Sequence, residues 1–115
     1  EIKKEEKTGK SWMPSPLREI PEELPALARA CKVIKKADRL YGLPEGAETL
    51  WPRMEKTLAS LRAAQEDGRP TEVRERYADM LWLLSELAYR ERLAPEQILA
   101  DKIAEKVELL EPESE

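Results

Sequence analysis

The stretch TEVRERYADMLWLLSELAYRER, residues 71–92, decides the fold class of this chain. Its apolar side chains return every three or four residues, which is the period of an α-helix with an apolar face. The positions that follow this period are Val73, Tyr77, Met80, Leu81, Leu84, Leu87 and Ala88. Trp82 and Leu83 widen the apolar band beyond one face. We therefore predict a central helix, from Pro70 to about Arg92, that is buried on more than one side.

Three further helices are predicted on either side of the central helix, over about residues 24–41, 49–66 and 95–110. Glycine or proline marks their boundaries, because glycine stops a helix and proline is tolerated in its first turn. These boundary residues are Gly42, Gly68, Pro95 and Pro112. The apolar positions at helical spacing are Leu24, Leu27, Cys31, Ile34 and Leu40, then Leu50, Met54, Leu58 and Leu61, and finally Ile98, Leu99, Ile103, Val107 and Leu110. Since the connections are short, neighbouring helices should pack antiparallel in a four-helix bundle.

Composition favours the same all-α class. Phe and His are absent and only four of the 115 residues are Gly, whereas Ala, Leu, Glu, Lys and Arg, which favour helices, dominate. The length leaves room for one domain. We expect residues 1–23 to form a charged, proline-rich linker that runs extended along the surface, because proline fixes the backbone and lacks an N–H donor. Residues 24–111 should form the helical domain, and residues 112–115 a disordered tail.

The charge pattern and the cysteine count exclude several classes of protein. The 20 basic and 24 acidic residues are interspersed and give a formal net charge of -4, which argues against nucleic-acid binding. No apolar run is long enough to span a membrane, and EIKKEEKTGK at positions 1–10 is too charged for a signal peptide. We therefore expect a cytoplasmic protein. A single cysteine and no histidine exclude an intramolecular disulfide, the usual zinc sites and a Cys–His catalytic pair, so Cys31 is predicted to be a small core residue.

The width of the apolar band predicts self-association. Four helices of this length enclose a limited core, and Trp82 and Leu83 lie beside the main stripe of the central helix. These extra apolar positions can meet a second chain, so we expect a homodimer. The alternative is a monomer with a partly exposed tryptophan.

The segment PEELPALARACKVIKKADRLYG, residues 21–42, resembles the entry to the second domain of two-domain MazG proteins, which are nucleoside triphosphate pyrophosphohydrolases. The residues that carry the resemblance are Pro21, Leu24, Pro25, Ala26, Leu27, Ala30, Lys32, Lys36 and Ala37. Upstream, EIKKEEK is similar to the stretch that joins the two halves in that family. Downstream, MEKTLASL and ERYADMLWLLSELA stand where the family has its metal-binding helices, and LAPEQIL matches its last helix.

The resemblance implies a fold, a reaction and a cofactor. The fold is a MazG-like bundle, completed by dimerisation, and an N-terminal MazG domain is expected to precede it. The reaction is attack of water between the α- and β-phosphates of a nucleoside triphosphate, which gives the monophosphate and pyrophosphate. The cofactor is Mg²⁺, held by four acids in an E-x-x-E and an E-x-x-D pattern on facing helices, because this hard cation prefers oxygen ligands.

This sequence departs from the family at most of those acids. Thr57 and Ser60 stand where the E-x-x-E pair is expected, and Arg76 replaces the glutamate of the E-x-x-D pair. Asp79 is the one retained acid. The fixed positive charge of an arginine opposes a divalent cation at that place. We therefore predict a domain with weak or no pyrophosphohydrolase activity, which serves dimerisation or supports an active partner domain.

Two interpretations stay open for each remaining polar candidate. Asp79 is either a remnant metal ligand or the ion-pair partner of Arg76 or of a basic residue on the preceding helix, where the candidates are Arg53, Lys56 and Arg62. Glu55 and Glu75 are either solvated helix charges or, with Asp79, ligands of a rearranged magnesium site that would make an active enzyme. Three basic residues of the first helix either contact nucleotide phosphates or are simply solvated: Lys32, Lys35 and Lys36.

Two further alternatives concern the aromatic residues and the whole chain. The aromatic candidates for nucleobase stacking are Trp51, Tyr77 and Trp82. We predict packing roles for Tyr77 and Trp82, because their spacing of five residues aims them in different directions on one helix. A non-enzymatic helical module that binds another protein's helix would also fit the apolar surface, although it leaves the resemblance unexplained.

Overall fold

The computed structural model of the protein describes residues 16–43 and 46–111. Over these residues it contains four α-helices and no β-strand. The helices are α1 (Ala26–Tyr41), α2 (Leu50–Glu66), α3 (Pro70–Arg90) and α4 (Pro95–Leu110). Short 3-10 helices lie at Pro16–Glu19 and Ala47–Thr49. The prediction of an all-α, four-helix fold is confirmed, whereas residues 1–15 of the predicted linker and the predicted tail at 112–115 lie outside the described residues.

The helix ends follow the glycine and proline positions of the sequence. Gly42, directly after α1, and Gly68, two residues after the end of α2, adopt φ values of +76° and +67°, a conformation that glycine tolerates without steric cost. Proline occupies the first position of both α3 and α4, where its missing N–H removes no helical hydrogen bond. Helix α1 begins two residues later than the sequence indicates, because a residue that precedes proline, here Leu24, disfavours helical dihedrals.

The segment before α1 is not extended throughout, in contrast to the prediction. Pro16–Glu19 forms a 3-10 helix. Glu19 Oε1 lies 3.1 Å from Lys36 Nζ on α1, and the guanidinium of Arg29 donates to the backbone carbonyl of Glu22 at 3.1 Å. The prediction considered the prolines alone, and these contacts with α1 hold the segment in a turn instead.

The core lies mainly between α2 and α3, which make the most extensive contact of the fold. Leu50 and Met54 of α2 pack with Leu83 of α3, and Met80 and Leu87 border this cluster. The side chains of Ile34, Leu61 and Ala64 are buried as well. Helices α2 and α3 are joined by only three residues, so they form an antiparallel hairpin.

The face that α3 buries agrees only in part with the predicted one, since Met80 and Leu87 of the predicted band pack against the core. Leu83 is 4 % exposed, whereas Tyr77, Leu81 and Leu84 remain about half exposed. Met80, Leu83 and Leu87 follow one another at helical spacing and face α2, so the position of α2 selects this face. A band of apolar residues that surrounds most of the helix does not indicate which side meets a neighbour. Trp82 is 42 % exposed.

Helix α4 contacts α1 and α3, yet none of its residues is buried. Four apolar side chains spaced three or four residues apart remain between 45 % and 79 % exposed on it. We call them the α4 stripe: Leu99, Ile103, Val107 and Leu110. Among the described residues, no helix combines the length and the apolar character that crossing a lipid bilayer requires.

Candidate functional site

The two positions on α2 where the resemblance places acids lie on the buried face of that helix. Thr57 is three residues after Met54 and four before Leu61, both of which are buried. Thr57 and Ser60 are themselves half-buried. A hydroxyl offers neither the negative charge nor the ligand strength that a divalent cation needs, so this face of α2 presents no carboxylate to α3.

Arg76 on α3 lies on the same face as the core residues Met80 and Leu83, and its side chain is only 28 % exposed. Its guanidinium contacts acids on both sides: Nη2 lies 3.1 Å from Asp79 Oδ2, and Nη1 lies 3.5 Å from Glu72 Oε2. The predicted pairing of Asp79 with Arg76 is confirmed. Arg62, one of the alternative partners, pairs with Glu66 at 3.3 Å instead. Glu72 was not predicted from the sequence as a partner of Arg76.

The acids around Arg76 belong to a row of alternating charges along the start of α3. Glu72 also accepts from Arg69 at 3.3 Å, and Arg69 in turn lies 3.3 Å from Asp67. Each carboxylate of the row therefore has a cationic neighbour, which reduces the negative potential available to a metal ion. In the part of the chain that is described, no group of three or more histidine, cysteine or acidic side chains could hold a metal ion.

Glu55 and Glu75 occupy the positions next to this face, and both are exposed. Glu55 follows the buried Met54 by one residue and Glu75 precedes Arg76 by one, so each projects about 100° away from the α2–α3 contact. They remain candidates for a rearranged magnesium site, yet in the described chain they do not join Asp79 in a metal-binding group.

The three lysines of α1 have different surroundings. Lys36 is engaged with Glu19, and Lys32 is exposed. Lys35 lines a cleft of about 600 Å³ between the second half of α1 and the connection from α3 to α4. The structure therefore places one of the three predicted phosphate contacts at a cavity. Cys31, predicted to be a core residue, is half-buried and lines the same cleft, because α3 does not cover this side of α1 fully.

The aromatic candidates lie at the surface. Trp51 is 54 % exposed, and the hydroxyl of Tyr77 lies 3.5 Å from Nε2 of Gln65 on α2. Neither residue lines the cleft beside Lys35.

A hydrogen bond between α1 and α3 closes one side of this cleft. Oδ2 of Asp38 accepts from the hydroxyl of Tyr89 at 2.7 Å, and Oδ1 accepts from the backbone N–H of Leu43 at 3.1 Å. These two bonds, of which the Tyr89 bond has the larger effect, hold the pKa of Asp38 below its ordinary value. The carboxylate is therefore ionised at neutral pH, and both of its oxygens are engaged by neutral donors.

Arg90 and Arg92 contribute the remaining charges of the cleft. The Arg90 side chain is 17 % exposed, and its nearest acid is Glu86, whose Oε2 lies 3.8 Å from Nη2, beyond hydrogen-bond length. Nε and Nη2 of Arg90 are buried and have no hydrogen-bond partner among the described residues. Neither arginine was predicted from the sequence as a site residue, although the Arg90-Glu91-Arg92 triplet directly after the apolar band is a visible signal.

Arg92 has an unusual backbone conformation, with a φ of +61°. Its N–H donates to the carbonyl of Tyr89 and the N–H of Leu93 donates to the carbonyl of Ala88, both at 2.9 Å. This is the Schellman arrangement that ends many helices, and its left-handed position is usually glycine. The predicted extension of the helix to Arg92 is therefore two residues too long.

Comparison with known proteins gives no relative: no family model, no curated protein and no solved structure matches this chain. The resemblance to MazG proteins therefore depends on the sequence motifs quoted above.

Proposed function

We propose that this chain is a MazG-like helical domain without pyrophosphohydrolase activity of its own, which dimerises and in this way supports an active partner domain, such as an N-terminal MazG domain, in the cytoplasm. The observation that carries the proposal is the position of Arg76. Its guanidinium lies on the face of α3 that turns towards α2 and is already paired with Asp79 and Glu72. The positive charge of Arg76 thus lies at the position where the family's sequence pattern would have a ligand of Mg²⁺.

The hydroxyl positions on α2 support the same conclusion. Thr57 and Ser60 lie on the inner face of α2 and supply no charge to offset Arg76. A magnesium ion sheds its water ligands reluctantly and needs carboxylates to do so. Asp79, which is half exposed and paired with an arginine, is the one acid of the expected set that this chain retains.

The α4 stripe supports dimerisation. Most of the stability of a helix in a protein comes from packing of its apolar face rather than from intrinsic helix propensity. Within one chain that face stays largely open to solvent, as does a second apolar row on α3 formed by Tyr77, Leu81 and Leu84. Covering this surface with apolar side chains contributes about 25 cal/mol for each Å² removed from water.

The charges beside the stripe favour a second copy of this chain as the occupant. Asp101, Lys102, Glu105 and Lys106 alternate in sign, and Lys102 already lies 3.1 Å from Glu105. In an antiparallel pair of α4 helices related by a twofold axis, basic residues of one copy can face acidic residues of the other. The same surface is therefore complementary to itself.

Sedimentation velocity tests the dimer. We expect a dimer at about 100 µM chain, a concentration that populates associations with dissociation constants in the micromolar range. Combining Ile103→Glu with Val107→Glu should give a monomer whose helical circular dichroism is retained. The matched control combines Gln97→Glu with Ala104→Glu, exposed positions on a different face of α4, and should stay dimeric. A monomeric natural chain, or an unchanged Ile103→Glu, Val107→Glu variant, would contradict the proposal.

Measurement of pyrophosphate release tests the catalytic half of the proposal. A panel of nucleoside triphosphates with Mg²⁺ or Mn²⁺ should give no release above the uncatalysed background. Turnover that disappears in Asp79→Ala would show an active, rearranged site and refute the proposal, whereas turnover that persists in that variant would indicate a contaminating hydrolase.

A further inference from the structure

We propose that the cleft between α1 and the α3–α4 connection binds a small phosphorylated anion. This site is distinct from the Arg76 cluster, since Arg76 and Arg90 are separated by 14 residues of α3, or about 21 Å along a helix. It is also independent of the proposed dimer, because no residue of the α4 stripe lines it.

The cleft has an excess of positive charge. Lys35, Arg90 and Arg92 line it together with one acid, Asp38, and the buried Glu86 lies 3.8 Å from Arg90 and offsets part of that charge. Both oxygens of Asp38 are engaged by the Tyr89 hydroxyl and the Leu43 N–H rather than by these cations. Within the described residues, no ion pair involves Lys35 or Arg92. Lys35 and Arg92 therefore line the same cavity without a carboxylate partner in the part of the chain that is described.

Arg90 also has N–H donors that lack a hydrogen-bond partner among the described residues. Nε and Nη2 form the edge of the guanidinium that binds carboxylates and phosphates in a bidentate manner. Both nitrogens are buried and have no hydrogen-bond partner among the described residues, and the Glu86 carboxylate lies 3.8 Å from Nη2. Burial of a donor without an acceptor is unfavourable, and native proteins usually satisfy such a group with protein, water or ligand. Arg90 therefore contributes positive charge to the lining of the cleft.

The backbone conformation of Arg92 places a charged side chain at a position that favours glycine. Its left-handed backbone disfavours any residue with a Cβ, and glycine would satisfy the same Schellman hydrogen bonds without that strain. Strained residues are found preferentially at ligand sites, where the side chain has a function that outweighs the strain. The side chain of Arg92 is the third cation that lines the cleft, beside Lys35 and Arg90.

The size and the donors of the cleft define the class of ligand. A volume of about 600 Å³ lies within the usual range for small-molecule sites. Arginine edges and a lysine ammonium together suit a tetrahedral oxyanion with at least two negative charges, such as a phosphate ester or pyrophosphate.

Titration with pyrophosphate at fixed ionic strength, followed by calorimetry, tests the proposal. We expect a dissociation constant below about 1 mM. Lys35→Met and Arg92→Gly should each weaken binding about tenfold or more, which corresponds to the loss of one charged contact. The matched control is Lys32→Met, because Lys32 lies on the same helix and is exposed but does not line the cleft. This variant should bind like the natural chain.

Arg92→Gly separates binding from folding. Since glycine relieves the strain at this position, its thermal midpoint should equal or exceed that of the natural chain while its pyrophosphate affinity falls. Loss of affinity together with loss of folding would assign Arg92 a structural role and would overturn its place in the site.

The single cysteine localises the ligand. Cys31 lines the cleft and is half-buried, so bound pyrophosphate should slow its alkylation by the uncharged reagent iodoacetamide, as measured by mass spectrometry. Absence of binding in the millimolar range, equal weakening by Lys32→Met and Lys35→Met, or unchanged alkylation at saturating pyrophosphate would each overturn the proposal.

Discussion

The hydroxyl of Tyr89 donates a 2.7 Å hydrogen bond to Oδ2 of Asp38, which joins α3 to α1 across 51 residues of sequence. The bond raises the pKa of Tyr89 above its ordinary value, because deprotonation would remove the donor and place two negative charges side by side. The same bond is the main reason that the pKa of Asp38 is lowered. The bond therefore stabilises the ionised form of Asp38 and the protonated form of Tyr89.

This pair predicts how stability depends on pH. The lowered pKa of Asp38 contributes stability above pH 3.8, the ordinary value, which is lost as the pH falls through the pKa of the folded state. The raised pKa of Tyr89 contributes stability below pH 10.0, which is lost as the pH rises through the pKa of the folded state. The difference in urea midpoint between the natural chain and Tyr89→Phe should thus be largest near neutral pH and smaller at both extremes. A difference that does not change with pH would contradict the assignment.

Replacement of Arg76 by methionine should change the free energy of unfolding by less than about 1 kcal/mol, because its two acidic partners are exposed enough to be hydrated alone. The substitution also removes the buried Nε, which has no hydrogen-bond partner among the described residues. Urea denaturation of the two proteins measures the difference. A loss of several kcal/mol would show that the Arg76 pairs stabilise the contact between α2 and α3 far more than surface ion pairs do.

Restoration of the missing acids should create a metal site. Thr57→Glu, Ser60→Glu and Arg76→Glu, combined with the natural Asp79, would place four carboxylates on or beside the α2–α3 contact. We expect this triple variant to bind Mn²⁺ with a dissociation constant below about 1 mM and to gain thermal stability when the metal is added. Isothermal calorimetry and a thermal scan measure both quantities.

The control for this triple variant changes the charge by the same amount on outward faces, with Ala59→Glu, Ala63→Glu and Arg74→Glu. All three positions are exposed, so the control should bind Mn²⁺ no better than the natural chain. Equal binding by both triple variants would show a general charge effect and would contradict the proposal that α2 and α3 are arranged as in MazG proteins.

Two neighbouring leucines of α3 test which face of that helix is buried. Leu83 is 4 % exposed and belongs to the core with Leu50 and Met54, so Leu83→Ala should cost about 2 to 4 kcal/mol of unfolding free energy. Leu84 is 47 % exposed, so Leu84→Ala should cost less than about 1 kcal/mol in a monomer. The two variants need measurement under conditions in which the chain is not associated. Similar losses of unfolding free energy in the two variants would contradict the burial of Leu83 and the exposure of Leu84.

Local sequence rules predicted the elements well because glycine and proline act locally. Gly42, Gly68 and the prolines at positions 70 and 95 lie at the helix boundaries, as their dihedral preferences require. The C-terminus of α3 was missed because Arg92 occupies a position at which glycine would have been recognised. The buried face of α3 was predicted only in part, at Met80 and Leu87 but not at Leu83, since the location of α2 is not a property of the α3 sequence.

The candidate sites differ in how far the sequence could reveal them. The pairing of Arg76 with Asp79 was predictable, because residues three apart on a helix are neighbours. The cleft beside Lys35 was not, because it joins the end of α1 to the end of α3, and helical periodicity says nothing about which ends meet. Only Lys35 was proposed from the sequence, on the basis of the family resemblance.

Helix α4 is half-buried only at Pro95 and Glu96, and its remaining residues are exposed. If association supplies the packing that one chain lacks, the local stability of α4 depends on protein concentration, whereas that of α2 and α3 does not. Amide hydrogens between residues 99 and 110 would then exchange with deuterium faster in dilute solution, while those around Leu83 would keep their protection. A single chain would thus contain one segment whose folding is bimolecular and another whose folding is unimolecular.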